Sequence, residues 1–292
     1  MADRPARKAP RTTRLVVRST RRITPHMIRL VLAPADPADI DRFADVPHTD
    51  GYVKVIFPSP GVEYPEPFDM TTAREAVGRE HWPALRTYTL RAVDRAAGEL
   101  TVDFVHHGDT GLAGPWAAAA APGDEVYVNG PGGAYSPDPE ADWHLLAGDE
   151  AALPAIAASL AQVPAGVPVH AFVEVADASE EQPLDSPGQL HLHWLHRDTG
   201  QAADGGSVLA GAVRGLEFPA GRVHAFVHGE AGAVKELRRH LLDDRGLSLD
   251  QLSISGYWRR GLVDEDFREY KREQARAEAD ADARAGRVPQ SA

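Results

Sequence analysis

The chain has 292 residues, 43% of them hydrophobic and 25% charged, with a formal net charge of -12. This is the balance of a soluble globular protein long enough for two domains, and its acidity excludes general affinity for nucleic acid. Cysteine is absent, which excludes disulfides, thiol catalysis and cysteine-ligated iron–sulfur clusters, so a redox centre has to be a bound organic cofactor or another metal site. No apolar run reaches the roughly eighteen residues of a membrane span, and the arginine-rich start has no apolar signal core. A cytoplasmic monomer is expected.

In chain order, the first ten or so residues read as a disordered basic arm (Arg4, Arg7, Lys8), and the alternating stretch from Arg14 to Ser19 reads as a strand. Six strand-like runs follow one another in the first half: TRLVVRS, HMIRLVL, GYVKVIF, RTYTLRAV, ELTVDFVH and DEVYVNG. Short strands with turn residues between them and one helix among them predict a small closed barrel. The proline-rich stretch from Pro58 to Pro83 shows no period and reads as a long loop.

Arg86, Thr87, Tyr88 and Thr89 on the fourth run supply a guanidinium for a pyrophosphate, a ring for an isoalloxazine and hydroxyls for a flavin nitrogen. Alternation places Arg86 and Tyr88 on one strand face and Thr87 and Thr89 on the other, an arrangement that a bulged strand end would relieve. After His107 and Gly108, the segment Gly111, Leu112, Ala113, Gly114 leads into a helix with Pro115 at its first position and Pro122–Gly123 beyond its end. The backbone N–H groups of that glycine-rich start form a candidate phosphate cradle.

After Pro137 strands alternate with helices, the signature of a parallel sheet covered on both faces. WHLLA, PVHAFVEV, QLHLHWL, RVHAFVH and QLSISGYW read as strands. Leu153, Ile156 and Leu160, and then Val234, Leu237 and Leu241, mark two helices. Pro154 belongs in a first helical turn, so the helix is expected to begin near Asp149 or Glu150, at a strand end where ligands of such sheets bind. The GxGxxG fingerprint is absent. His191 and His193 share a strand face without an evident third ligand, so no metal site is expected. Arg197 is either a nucleotide-phosphate contact or a loop charge, and Trp258 either covers a flavin or fills the core beside Tyr257. From Asp264 onward a helix is expected to dock through Phe267 and Tyr270, with the final RVPQSA disordered.

These segments together resemble the siderophore-interacting proteins, flavin-dependent ferric-siderophore reductases of the ferredoxin-reductase-like superfamily. The resemblance rests on VKVIFP around Lys54, RTYTLR from Arg86, DFVHHGD from Asp103, GPGG at Gly130, LLAGDE to Glu150 and VEVAD at Glu174. It continues through EEQPL, WLHR at Trp194, GEAGAVKELRRHL from Gly229 and SGYWRRG from Ser255. It implies an N-terminal six-stranded antiparallel Greek-key barrel, residues 1–136, that binds FAD, followed by a Rossmann-like parallel-sheet domain, residues 137–292, that binds NADH or NADPH and ends in a helix. Arg86, Tyr88 and Thr89 match the family's flavin motif, and Val105, His107, Gly108, Gly111, Leu112, Ala113 and Gly114 match its pyrophosphate segment. Gly148, Asp149 and Glu150 match the start of the nicotinamide-nucleotide domain, with Glu174, Gly229 and Glu230 at later strand ends. Leu112, Ala113 and Gly114 depart from a usual Pro-Ala-Ser turn, Ala151 from a common threonine, and Leu262 and Val263 from usual polar residues.

The implied chemistry passes electrons from NAD(P)H through FAD to a ferric siderophore and releases ferrous iron, since lower charge weakens the bonds of hard anionic oxygens to the ion. No side-chain acid, base or nucleophile is required, so no catalytic residue is assigned. Lys54, Arg259 and Arg260 are candidates to receive the anionic chelate. Other readings are a flavoprotein reductase with another acceptor or a protein electron donor, and a ferric-siderophore binding protein without catalysis.

Overall fold

The computed structural model describes residues 11–198 and 207–287; the arm ahead of residue 11, expected to be disordered, lies outside them. The chain divides into two compact units, one of residues 1–23, 27–46 and 51–133, the other of residues 24–26, 47–50 and 134–292.

The first unit is the expected antiparallel barrel. Strands β1 (Thr12–Thr24), β2 (Met27–Pro34), β3 (Tyr52–Phe57), β4 (Ala84–Asp94), β5 (Glu99–Val105) and β6 (Glu125–Gly132) close in the order β1-β2-β5-β4-β3-β6. Alternation sends Leu15, Val17, Leu30, Val53, Val55, Leu90, Val102, Phe104 and Val128 inward, which is how a small barrel fills its interior. Helix α1 (Ile40–Ala44) contributes Phe43, and α3 (Ala113–Ala119) contributes Ala113 and Ala117 to the same core. On the outer face Arg29 grips the buried Asp103 through two bonds of 2.7 Å.

The stretch from Pro58 to Pro83 is not the featureless loop its prolines suggest. It contains α2 (Met70–Ala76), whose N-cap Asp69 accepts from the backbone of Thr71 and Thr72. Phe68, Met70 and Ala73 pack on Ile56, forming a satellite core too short for its period to show in sequence. Helix α3 begins two residues earlier than expected, at Ala113, because the missing N–H of Pro115 is tolerated anywhere in a first turn.

The second unit holds a parallel sheet in the order β11-β10-β7-β8-β9, made of β7 (Trp143–Asp149), β8 (Pro168–Val175), β9 (Gln189–His196), β10 (Val223–Glu230) and β11 (Leu252–Trp258). Every residue of the central β7 is buried, as both-face coverage demands. Helix α4 (Leu153–Leu160) covers one face, while α5 (Val208–Arg214) and α6 (Ala231–Arg239) cover the other. Sequence reasoning missed α5, a seven-residue helix. Leu241 stands beyond α6 in a π-helical turn, His240–Asp244. Helix α4 starts at Leu153 rather than at Asp149, because Asp149 completes β7 and its carbonyl accepts from Ala152 in a turn.

The C-terminal helix, α7 (Asp264–Arg284), docks through Phe267, which is buried, and Tyr270, which is half-buried. It is also tied by Arg238 to Asp282 and by Lys271 Nζ to the Gly256 carbonyl, 3.0 Å. Arg287, the first residue of the tail expected to be disordered, pairs with Asp243 and Asp282; the rest of that tail, residues 288–292, lies outside the described ones.

Gly148 is required by close approach. A Cβ there would stand 2.5 Å from the His228 carbonyl oxygen and 2.6 Å from the Ala152 Cβ, contacts that strand and turn backbone cannot yield. Gly148→Ala is expected to destabilise the protein by about 1–3 kcal/mol; an unchanged urea midpoint would refute this reading of the turn.

Candidate functional site

In the barrel, β3 and β4 pair without interruption across the fourth-strand motif, with Val55 opposite Arg86, Lys54 opposite Thr87, Val53 opposite Tyr88 and Tyr52 opposite Thr89. Directly opposed residues share a face, so Arg86 and Tyr88 stand with Val55 and Val53, while Thr87 and Thr89 stand with Lys54 and Tyr52. The split inferred from alternation is therefore real. The bulge that would relieve it lies further on, in the register shift between Leu90 and Ala92.

Arg86 is half-buried, with Nη1 donating to the Leu85 carbonyl at 3.0 Å. Tyr88 is half-buried against Phe104, ring centroids 4.3 Å apart, so one side of its ring is taken up by the barrel core. Thr87 is exposed and Thr89 is buried. Lys54 is exposed on its strand, as expected.

Beyond the half-buried Val105, His107, Gly108, Gly111 and Leu112 are exposed, whereas Ala113 and Gly114 are buried at the start of α3. A Cβ on Gly114 would stand 3.1 Å from the Val105 carbonyl oxygen, so the helix begins in contact with the end of β5. No side chain caps α3. The backbone N–H groups of Ala113 and Gly114, ahead of a proline that has none, are donors of the kind an anion accepts. A half-buried guanidinium, an aromatic face and an uncapped helix start on one barrel suit an anionic dinucleotide with a planar ring system.

The carboxyl edge of the parallel sheet is built differently. Asp149 is 3% exposed. Its Oδ1 accepts from Ala151 N at 2.9 Å, and its Oδ2 accepts from Glu230 N and from Trp258 Nε1, both at 2.8 Å. Burial, and then the neighbouring Glu150, push its carboxyl up to about 7 against the pull of these donors. Gly229, at φ +136, makes room for it, since a Cβ would stand 2.7 Å from Oδ2. Trp258 is 36% exposed, so it does not fill the core beside Tyr257.

Glu150, also buried, receives Arg197 in a two-pronged pair, with Nη1 to Oε2 at 2.9 Å. Arg197 Nη1 also reaches Glu174 Oε1 at 3.4 Å. Burial lowers the basicity of this guanidinium, yet Glu150 and Glu174 hold it above its ordinary value. Arg197 is therefore neither an open phosphate contact nor a plain loop charge.

Glu174 Oε2 accepts from Leu209 N at 3.2 Å in the first turn of α5, which Ser207 also caps. Glu230 caps α6 by accepting from Gly232 and Ala233, and its Oε1 accepts from Arg260 N at 3.2 Å. The Arg259 guanidinium lies 4.3 Å over the Tyr270 ring and bonds its hydroxyl, which fastens it to α7. Arg260 is exposed, as are Leu262 and Val263.

Two side-chain arrangements were not legible in the sequence. Glu180, seen in sequence only within EEQPL, is buried and accepts from Thr24 Oγ1 at 2.5 Å and His26 N at 2.9 Å. His170 joins His191 and His193 in a stack, with centroids 4.6 and 6.1 Å from its own and planes 12° and 10° apart. Parallel rings hold their nitrogen lone pairs in separate planes, which do not converge on one ion. Among the described residues no group of three or more His, Cys, Asp or Glu is placed to hold a metal, and no helix is long and apolar enough to cross a membrane.

Comparison with known proteins supplies two family models: residues 16–135 match the siderophore-interacting FAD-binding domain, and residues 141–261 match the siderophore-interacting protein model. An uncharacterised protein of Mycobacterium tuberculosis is 43% identical over 273 residues, covering 89% of this chain and 95% of its own. The ferric vibriobactin reductase ViuB of Vibrio cholerae is 35% identical over 223 residues, covering 75% and 80%. The crystal structure of a siderophore utilization protein from T. fusca superimposes with a TM-score of 0.73 at 39% identity, covering 87% of this chain and 95% of that one.

The raised Asp149 carboxyl fixes a direction for pH dependence. Between pH 3.8 and about 7 the folded chain keeps a proton that the unfolded chain releases, so this residue's contribution to stability declines as pH rises through that window and is constant above it. Asp149→Asn is expected to remove this slope, at most about 1.4 kcal/mol per pH unit. Urea unfolding at pH 5 and pH 7 measures it, and an equal pH response in wild type and variant would overturn the assignment.

Proposed function

The chain belongs to the siderophore-interacting protein family, and on that premise we propose that it reduces ferric siderophores with electrons from NADH or NADPH by way of FAD held on its barrel. The observation that carries this reading is the presence of Arg86, Tyr88 and the uncapped start of α3 on one barrel inside the matched FAD-binding segment. The reductase relative ViuB supports the choice of acceptor.

In this reading Arg86 and the backbone donors from Gly111 to Gly114 would hold the pyrophosphate, and the Tyr88 ring would lie against the ring system. Val105, His107 and Gly108 shape the turn that brings the chain to the phosphates. FAD, when bound, supplies the means to accept two electrons as a hydride and give them up one at a time. The overall balance is one NAD(P)H and two ferric ions to one NAD(P)+, one proton and two ferrous ions.

Neither side-chain acid nor base is needed, since the single proton leaves to water. Lys54, the exposed candidate cation of the barrel, would attract the anionic chelate. Arg259 is committed to Tyr270 and serves to hold α7. Lower charge on the reduced ion loosens its bonds to hard oxygen donors, so reduction frees the iron for exchange in the cytoplasm.

The test is a visible spectrum of the full chain loaded with FAD, followed without oxygen by NADH or NADPH and then by a ferric siderophore. Bleaching of the flavin band on the first addition and its recovery on the second are expected. Arg86→Ala is expected to weaken FAD binding roughly 10- to 100-fold, the loss of a hydrogen bond to a charged group. A folded protein that takes up no FAD would end this reading.

A further inference from the structure

Glu174 stands at the carboxyl end of β8, directly opposite Asp149 in the parallel register. In sheets of this kind the ligand lies outside the carboxyl ends of the strands. There, an acidic residue after the second strand accepts from the ribose 2′-hydroxyl of NADH, whereas a nearby arginine is what accommodates the 2′-phosphate of NADPH. This chain has the acidic residue and has an arginine within reach, so the state of that arginine decides which dinucleotide the edge suits.

Arg197 is already engaged by two carboxylates, Glu150 on both oxygens and Glu174 on one. To meet a 2′-phosphate it would have to leave a buried partner, Glu150, with an uncompensated charge, which is strongly unfavourable. The backbone donors at the starts of α5 and α6 are occupied as well. Leu209 N and Ala210 N at the start of α5 are taken by Glu174 and Ser207, and Gly232 N and Ala233 N at the start of α6 by Glu230. Three carboxylates, those of Glu150, Glu174 and Glu230, thus stand at this edge with one engaged guanidinium, and a phosphate monoester brings a further charge of about -1.5 to -2 near neutral pH. Glu174 keeps a partly exposed side chain, 14%, from which a ribose hydroxyl can still be accepted.

We propose that Glu174 and Glu150, by engaging Arg197 at the ends of β7, β8 and β9, make this chain select NADH over NADPH. The inference rests on the nicotinamide donor assigned above and adds the residues that discriminate between its two forms.

The test uses the FAD-loaded full chain, with NAD+ and NADP+ titrated by calorimetry because neither oxidised form reduces the flavin, and with anaerobic bleaching by NADH and NADPH as a second readout. NAD+ is expected to bind at least about 10-fold more tightly than NADP+, since like charges in contact are costly. Glu174→Gln keeps an acceptor for Leu209 N while removing the charge and loosening Arg197; it is expected to cut that preference at least about 3-fold, mainly by strengthening NADP+. Glu150→Gln, which releases the other side of Arg197, is expected to act in the same direction, and far-ultraviolet circular dichroism and thermal melting establish that each variant is folded. Equal or tighter binding of NADP+ by the wild type, or a preference unchanged in both folded variants, would overturn the inference while leaving the bleaching, and with it the donor assignment, intact. Failure of both dinucleotides to bind or to bleach would overturn the donor assignment and this inference together.

Discussion

One buried carboxylate, that of Asp149, closes the carboxyl edge of the parallel sheet. A charge with so little solvent contact is tolerable only when hydrogen bonds replace the lost water, and three strand ends converge to supply them: the turn after β7 through Ala151 N, the junction of β10 and α6 through Glu230 N, and β11 through the Trp258 indole. Gly229 is the steric condition of this arrangement, because any side chain there would occupy the carboxylate's space. The position of Trp258, the caps on α6 and the placing of Arg260 against Glu230 all follow from that knot.

The two units treat helix N-termini in opposite ways. Helix α3 of the barrel has no side-chain cap, so its first N–H groups have no side-chain acceptor. Helices α5 and α6 are capped by Ser207, Glu174 and Glu230, so their dipoles are answered from within the chain. The same backbone physics thus leaves an uncapped helix start on the barrel and a self-satisfied, acidic edge on the sheet.

Several residues that sequence patterns singled out are engaged by the chain itself. Tyr88 gives one side of its ring to Phe104, Arg259 gives its guanidinium to Tyr270, and the imidazoles of His191 and His193 stack with His170. In each case a neighbour elsewhere in the chain determines how much of the side chain remains for a ligand.

The sequence by itself determined the six barrel strands, the alternating strands and helices that follow, and the faces on which Arg86, Thr87, Tyr88 and Thr89 stand, because periods of two and near four are local properties of the backbone. It also made the glycine-rich start of α3 legible, though not its first residue, and it hid α2 and α5, which are too short to display a period. Only the tertiary structure decided the partners. Arg197 lies 47 residues from Glu150 and 23 from Glu174, and Trp258 lies 109 from Asp149. Whether a charge is open to a ligand or neutralised by its own chain depends on such long-range pairs, which strand order and register create and which no local pattern encodes.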